Sequence, residues 1–120
     1  MGRAGSYLGF GGNFMSQVST HVLDAAVGRP AVGVTVTLFA AGDSLVATAA
    51  TDAEGRVSSF GPDALPPGHY RLVFETGAWF GGAPHFYPLV TIDFILADAA
   101  AHHHVPLLLS PFAYSTYRGS

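Results

Sequence analysis

The chain has 120 residues, of which 49% are hydrophobic and 11% are charged; this composition argues against disorder and suits one domain that buries about two thirds of its unfolded surface. Its net charge of −3 and its five cations, all of them arginines, disfavour nucleic-acid binding. The absence of cysteine excludes disulfides and thiol catalysis, and no stretch reaches the roughly 18 apolar residues of a membrane span.

Residues 1–18 are predicted to form a Gly-rich extension ahead of the domain. Glycines interrupt the apolar residues of this segment, so it lacks the apolar core of a signal peptide. The start of the chain matches the short myristoylation pattern on Gly2. The alternative, which we favour, is an extension ahead of a start-like Met15. The domain is accordingly predicted to cover residues 19–120.

From residue 19 onward, short segments that alternate between polar and apolar residues predict β-strands separated by turns. The predicted strands cover residues 20–23, 34–39, 45–51, 56–60, 69–75, 90–96 and 103–109. Alternation is clear at 69–75, where Tyr70, Leu72 and Phe74 share one face. Residues 77–85 are predicted to be a loop, and residues 63–65 are a candidate for one helical turn. Because no long helical period appears, the sequence predicts an all-β antiparallel sandwich.

The end of the chain is unusually apolar for a terminus. The predicted strand at 103–109 is followed by three aromatic residues, and leaving such side chains in water forfeits roughly 2 kcal/mol for each of them. We therefore expect the tail to be docked into the fold or into a neighbouring chain. Docking would carry the polar groups of Tyr117, Arg118 and Ser120 inward, where each needs a partner or a ligand.

Histidines and one arginine are the candidates for chemistry. His21 lies beside an apolar run in the first predicted strand, where a structural role is the usual one, and Arg56 follows a turn, where a solvated arginine is common. His102 and His104 share one strand face while His103 points away. That spacing offers a zinc site as an alternative, although no second cluster of cysteine or histidine supports it. No serine lies in a nucleophile-elbow sequence.

Several motifs carry a family resemblance. They are Ser-Thr-His-Val-Leu-Asp at 19–24, Thr-Asp-x-x-Gly-Arg at 51–56, His-x-His-Val-Pro at 102–106, Leu-Leu-Ser-Pro-x-x-Tyr-Ser-Thr at 108–116 and Tyr-Arg-Gly-Ser at 117–120. Together they resemble the 5-hydroxyisourate hydrolases, the transthyretin-like enzymes of purine breakdown. Transthyretin itself keeps the stretch at 108–116 and diverges after it, so the last four residues discriminate between the two. One departure is His103, which stands where the family has a tyrosine.

The resemblance implies a transthyretin-like sandwich of two four-stranded sheets, assembled as a homotetramer with active sites at subunit interfaces. The implied reaction is hydrolytic ring opening of 5-hydroxyisourate to 2-oxo-4-hydroxy-4-carboxy-5-ureidoimidazoline, with neither cofactor nor metal. By resemblance the catalytic residues are His21, Arg56, His104 and Ser120, and the substrate-binding residues are Tyr117, Arg118 and Gly119. Either His21 or His104 can serve as the general base, and Arg56 suits the polar edge of a planar substrate.

Two other classes of protein stay open at this point. A transthyretin-like carrier of a small hydrophobic ligand would share the fold, but it has no use for two histidines and two arginines that converge. A structural sandwich, such as an adhesion domain, is disfavoured by the lack of a signal peptide. The low charge content indicates that an oligomer covers part of the surface. The predicted location is cytoplasmic, with a peroxisomal one left open, and neither nucleic acid nor membrane is expected as a partner.

Overall fold

Nine β-strands and one short helix form the part of the chain that this computed structural model describes, residues 17–120. In chain order the strands are β1 (Val18–Asp24), β2 (Arg29–Pro30), β3 (Thr35–Ala40), β4 (Ser44–Ala50), β5 (Arg56–Val57), β6 (Gly68–Phe74), β7 (Val90–Leu96), β8 (His103–Ser110) and β9 (Ala113–Thr116). A 3₁₀ turn at Ala41–Asp43 joins β3 to β4, and helix α1 (Thr76–Phe80) precedes β7. The predicted all-β fold class is confirmed.

The strands form two sheets. One has the order β4-β3-β6-β7 and is antiparallel throughout. In the other sheet, β1 lies between β8 and the two-residue strands β2 and β5. Strand β9 pairs with the opposite edge of β8. This sheet therefore has five strands, where four were predicted. β1 and β8 run parallel, with Ser19 opposite His104, which departs from the predicted antiparallel pairing. Most of the chain connects these two strands, so no hairpin turn forces them to be antiparallel.

One face of each long strand builds the core between the sheets. The alternation predicted for β3 and β6 is confirmed, because Val36, Leu38, Leu72 and Phe74 are 0% exposed. From the five-stranded sheet, β1 contributes Val18 and Val22, and β8 contributes Val105, Leu107 and Leu109. Side chains alternate across a strand, so the residues between these core positions project from the outer face of the five-stranded sheet. That outer face carries the candidate site.

Helix α1 occupies part of the segment that the sequence predicted to be a loop. The Thr76 hydroxyl donates to the Tyr87 carbonyl at 2.7 Å, and the Trp79 indole N–H donates to the Val32 carbonyl at 2.9 Å. These contacts reach distant residues, so the short helix depends on tertiary packing that local sequence does not reveal. No helix within residues 17–120 is long and apolar enough to cross a membrane.

Gln17 ties the start of β1 to two loops. Its side-chain amide donates to the carbonyls of Asp98, Ala99 and Ala101 at 2.7–3.2 Å, and its carbonyl oxygen accepts the Leu65 N–H at 2.7 Å. That contact helps to hold residues 63–65 in a non-helical conformation, and the predicted helical turn is absent there. Gln17 and Val18 are thus packed with the rest of the described chain, and the division of the sequence at residue 18 stays a prediction. The predictions for Gly2 and Met15 fall outside the described residues.

The tail does not bury its aromatic side chains within its own chain. Phe112 is 65% exposed, Tyr114 is 40% exposed and Tyr117 is 59% exposed, so the prediction that they dock into the fold is wrong for a single chain. Their backbone is docked, since β9 pairs with β8 at the edge of the five-stranded sheet. An edge strand has no further strand beside it in the same chain, and burial against a neighbouring chain stays a prediction.

Candidate active site

Three strands place histidine and arginine side chains on the outer face of the five-stranded sheet. Val18 and Val22 of β1 point into the core, so Ser19 and His21 project outward. The parallel register sets Ser19 opposite His104 of β8, and the antiparallel register of β1 with β5 sets His21 opposite Arg56. Residues opposite each other in paired strands project to the same face, so all four side chains share it.

An open cavity of about 140 Å³ lies on this face. It is lined by Ser19, Thr20, Arg56, Ser58, His102, His104 and Ser120. Of the four predicted catalytic residues, the structure brings Arg56, His104 and Ser120 into this cavity. The cavity thus combines a fixed cation, two imidazoles and hydroxyl groups, which is a set able to bind a polar planar molecule and to move protons.

A tight turn positions Arg56 at the rim of the cavity. The Asp52 carboxylate accepts the backbone N–H of Arg56 at 3.0 Å and that of Glu54 at 2.8 Å. These two hydrogen bonds hold the pKa of Asp52 below its usual range, and the bond from Arg56 has the larger effect. Gly55 has a φ of +78°, and a Cβ there would collide with the Val22 carbonyl oxygen, so the turn requires glycine. The Arg56 guanidinium lies 3.8 Å from the exposed Glu54 carboxylate, a weak pair that leaves it available to a ligand.

His104 is the half-buried centre of the site. Its Nδ1 lies 2.8 Å from the Ser19 hydroxyl oxygen, and the same oxygen lies 2.7 Å from Nε2 of His102. Burial lowers the pKa of His104, and the nearby charges of His102, Arg56 and His21 lower it further. The neutral imidazole is therefore the favoured form near neutral pH, and a neutral imidazole can accept a proton.

His21 lies beside the cavity rather than in its lining. Its Nε2 is 2.8 Å from the Glu54 carbonyl oxygen, so this nitrogen carries the proton and donates it. The contact ties the imidazole to the turn that presents Arg56. His21 therefore lies next to the arginine, and its nearby charge contributes to the lowered pKa of His104.

The last residues of the chain lie beside His104, where Gly119 pairs with it as an isolated antiparallel bridge. The Gly119 N–H donates to the His104 carbonyl at 2.8 Å, and a Cβ on Gly119 would lie 2.5 Å from Cδ2 of the His104 ring. A second cavity, of about 160 Å³, is lined in part by Tyr117, Arg118 and His104. The predicted tail residues are thus divided between two cavities, with Ser120 in the first and Tyr117 and Arg118 in the second. His104 lines both.

The zinc alternative gains no support from the geometry. Within residues 17–120, no group of three or more His, Cys, Asp or Glu side chains is arranged to hold a metal ion. His103 is buried at 5% exposure, with its Nδ1 2.9 Å from the Ala101 carbonyl oxygen, so it points away from His102 and His104 as predicted.

Sequence reasoning missed Ser19 and considered His102 only as a metal ligand. One signal was present: Ser19 lies two residues before His21 and must share its strand face. Nothing local indicates that Ser19 contacts a residue 85 positions later, because that contact depends on the parallel register of β1 and β8.

Comparisons of the sequence and the fold with known proteins match this chain to a family. A family model described as HIUase/Transthyretin family matches residues 18–119. The 5-hydroxyisourate hydrolase 2 of Rhizobium meliloti (strain 1021) is 46% identical over 117 residues, covering 87% of this chain and 96% of the relative. The structure of Klebsiella pneumoniae 5-hydroxyisourate hydrolase is 44% identical, with a TM-score of 0.81 and coverage of 88% of this chain and 100% of that one.

A transthyretin is nearly as similar in fold and less similar in sequence. The transthyretin from Sparus aurata has a TM-score of 0.80 but is 29% identical, with coverage of 86% of this chain and 96% of that one. The backbone therefore does not separate the hydrolases from transthyretin, whereas the sequence identity is higher to the hydrolases.

Proposed function

The chain belongs to the HIUase/transthyretin family, and from this premise we propose that it hydrolyses 5-hydroxyisourate in urate breakdown. The observation that carries the proposal is the meeting of His104, Arg56 and Ser120 in one cavity, with the pKa of His104 lowered. A carrier needs neither a proton acceptor nor a cation at that place. The curated relatives at 41–46% identity are hydrolases, and they support the enzyme.

In the proposed mechanism, neutral His104 takes a proton from water as the water attacks a ring carbonyl of 5-hydroxyisourate. The carbonyl oxygen becomes an oxyanion, and collapse of the tetrahedral intermediate breaks the adjacent C–N bond and returns a proton to the nitrogen. Arg56 binds the polar edge of the planar ring and balances its negative charge. The Ser120 hydroxyl closes the cavity above the ring. No cofactor takes part in this scheme.

His104, rather than His21, is the proposed base. Nε2 of His21 is engaged by the Glu54 carbonyl, and its ring is outside the cavity lining. His21 then acts by holding the turn that presents Arg56. Tyr117 and Arg118 approach His104 from the second cavity, and Gly119 gives the tail the close passage it needs beside the ring.

The proposed assembly is a homotetramer whose interfaces complete the sites. Exposed apolar side chains lie on the edge strand β7 and on the tail: Ile95 is 66% exposed, Phe112 is 65% exposed and Tyr117 is 59% exposed. Strand β7 and strand β9 of the tail each lie at the edge of a sheet, where unpaired backbone groups are open to a neighbouring chain. Burial of the tail against such a neighbour would satisfy the expectation from its sequence. The cytoplasmic location stays a prediction from the sequence.

The proposed function is tested by following the ultraviolet absorbance of freshly prepared 5-hydroxyisourate. The compound decays spontaneously, so the expected result is a faster decay that scales with protein concentration. A decay rate equal to that of buffer would overturn the proposal and would leave the small-ligand carrier as the alternative to examine.

Replacing Arg56 by alanine should lower kcat/KM by about 10² or more, because the oxyanion and the polar edge of the ring lose their cation. The acid limb of the pH profile should also move to higher pH, since Arg56 is one of the charges that lower the pKa of His104. Steady-state kinetics between pH 5 and 8 measures both effects. Arg71→Ala, an exposed arginine on the four-stranded sheet, is the matched control and should change neither.

Replacing Gly119 by alanine should lower kcat/KM by about 10- to 100-fold, because the new methyl group displaces either the His104 ring or the tail. Gly82→Ala is the control, since nothing lies within 4 Å of a Cβ at that position. Kinetics of both variants, with thermal unfolding to show that each is folded, provide the measurement. Equal kcat/KM values for the two would show that the passage of the tail does not set the position of His104.

A further inference from the structure

The Ser19 hydroxyl sits between two imidazoles. Its oxygen lies 2.7 Å from Nε2 of His102 and 2.8 Å from Nδ1 of His104, and Ser19 is only 5% exposed. Both distances are those of good hydrogen bonds. A hydroxyl that contacts two ring nitrogens can donate its single proton to only one of them, so the orientation of that proton matters to both rings.

One hydroxyl has one proton, and this couples the two rings. If Ser19 donates to His102, it accepts the Nδ1–H of His104, whose Nε2 then carries a lone pair. If Ser19 donates to His104, it accepts an Nε2–H from His102, and neutral His104 must carry its own proton on Nε2. Of these two, only the first leaves Nε2 of His104 able to accept a proton, and the same holds if the Ser19 oxygen accepts an N–H from both rings with its two lone pairs.

The surroundings favour the first arrangement while His102 is neutral. Nδ1 of His104 is engaged by Ser19, so Nε2 is the ring nitrogen left for the cavity. Arg56 lines that cavity, and a guanidinium favours a lone pair over an N–H on a nitrogen that faces it. The charged and titratable groups that act on His104 are His102, Arg56 of β5 and His21 of β1.

Neutral His102 is what makes the first arrangement possible. Its Nε2 then carries a lone pair and accepts the Ser19 proton. That leaves the Ser19 oxygen free to accept the Nδ1–H of His104. His102 therefore acts on His104 through the orientation of the Ser19 hydroxyl.

We propose that Ser19 and His102 are positioning residues that hold His104 as its Nδ1–H tautomer, so that its Nε2 is free to act as a base. This inference rests on the proposed function, since it concerns the base of that reaction. The hydrogen bond on one imidazole nitrogen sets the tautomer and hence the chemistry of the other.

The first test is spectroscopic and needs no substrate. In protein labelled with ¹⁵N-histidine, the neutral His104 ring should show its proton on Nδ1, with the signals assigned by their loss in His104→Gln. In Ser19→Ala the ring should shift toward the Nε2–H form that a free imidazole prefers, and Ser19→Thr, which keeps the hydroxyl, should restore the wild-type signals. A wild-type ring already in the Nε2–H form would overturn the proposal.

The second test is kinetic. Ser19→Ala should lower kcat/KM by about 10- to 100-fold, the range for losing a group that orients a reactive side chain, and Ser19→Thr should recover most of it. Ser44→Ala, an exposed serine on the four-stranded sheet, is the matched control and should keep wild-type kinetics. All four proteins should unfold at similar temperatures, and unchanged kcat/KM in Ser19→Ala would overturn the proposal.

His102→Ala tests the role of His102 at an exposed position. The neutral His104 ring should shift toward the Nε2–H form in this variant, because the Ser19 hydroxyl loses the acceptor for its proton and can donate to Nδ1 of His104. An unshifted ring would overturn the role of His102. If the wild-type protein fails to hydrolyse 5-hydroxyisourate, the proposed function falls by itself, and the spectra still decide the tautomer.

Discussion

Deletion of residues 117–120 is expected to abolish turnover while leaving the fold intact. The four residues supply the Ser120 hydroxyl to the first cavity, part of the lining of the second, and the Gly119 N–H that binds the His104 carbonyl at 2.8 Å. They contribute nothing to the buried core, so the sandwich should still form. Turnover should be lost because His104 is no longer held in position and the cavity is open on one side. Misplacement of a reactive group lowers rates strongly.

The deletion is checked by substrate decay together with thermal unfolding and size-exclusion chromatography. Ser120→Ala is the comparison, since it removes one hydroxyl and keeps the backbone contact of Gly119; its loss should be partial. A truncated protein that is folded and fully active would show that the tail has no part in the site. If the truncated protein is active but forms a smaller assembly than the full chain, the site does not depend on the proposed interface.

His104→Ala is expected to lower kcat/KM by about 10²- to 10⁴-fold, the usual contribution of a positioned general base. The side chain is half-buried on the outer face and outside the hydrophobic core, so the variant should fold. Steady-state kinetics and thermal unfolding measure the two properties. His69→Ala, an exposed histidine on the four-stranded sheet, is the control. Equal losses in the two variants would remove His104 from the mechanism.

The pH dependence of kcat/KM provides a second test of His104. The pKa of His104 is lowered by burial and by the neighbouring charges, so the neutral base persists to lower pH than an ordinary histidine. Wild-type kcat/KM should therefore be on its plateau at neutral pH and should fall as the pH drops through that lowered pKa. The residual activity of His104→Ala should lack this limb, and a limb that survives unchanged would assign it to another group.

Local pattern was enough for much of the molecule. The strand at Val90–Leu96 begins and ends where the sequence predicts, and the core faces of β3 and β6 follow their alternation. The motif around Arg56 needs a glycine at position 55, and the positive φ of Gly55 supplies the reason. In each case the information lies within a few residues, because strand alternation and turn geometry are set by neighbouring side chains and backbone angles.

The motifs predicted part of the candidate site, and the tertiary structure was needed for the rest. The motifs named His104, Arg56 and Ser120, and the structure places all three in one cavity. They did not indicate that Tyr117 and Arg118 line a different cavity, or that Ser19 joins His102 to His104. The tail was expected to dock into the fold or into a neighbouring chain; its aromatic side chains are exposed in the single chain, and docking into a neighbour stays a prediction.

Sequence by itself therefore determined the all-β class and the core faces, and it supplied the candidate side chains of the proposed site. Tertiary structure alone decided which of these side chains meet. The parallel register of β1 with β8 joins residues 85 positions apart, and a shift of one residue would turn Ser19 away from His104. Register of this kind is fixed by the packing of a whole sheet against its partner, and no short segment of the chain contains that information.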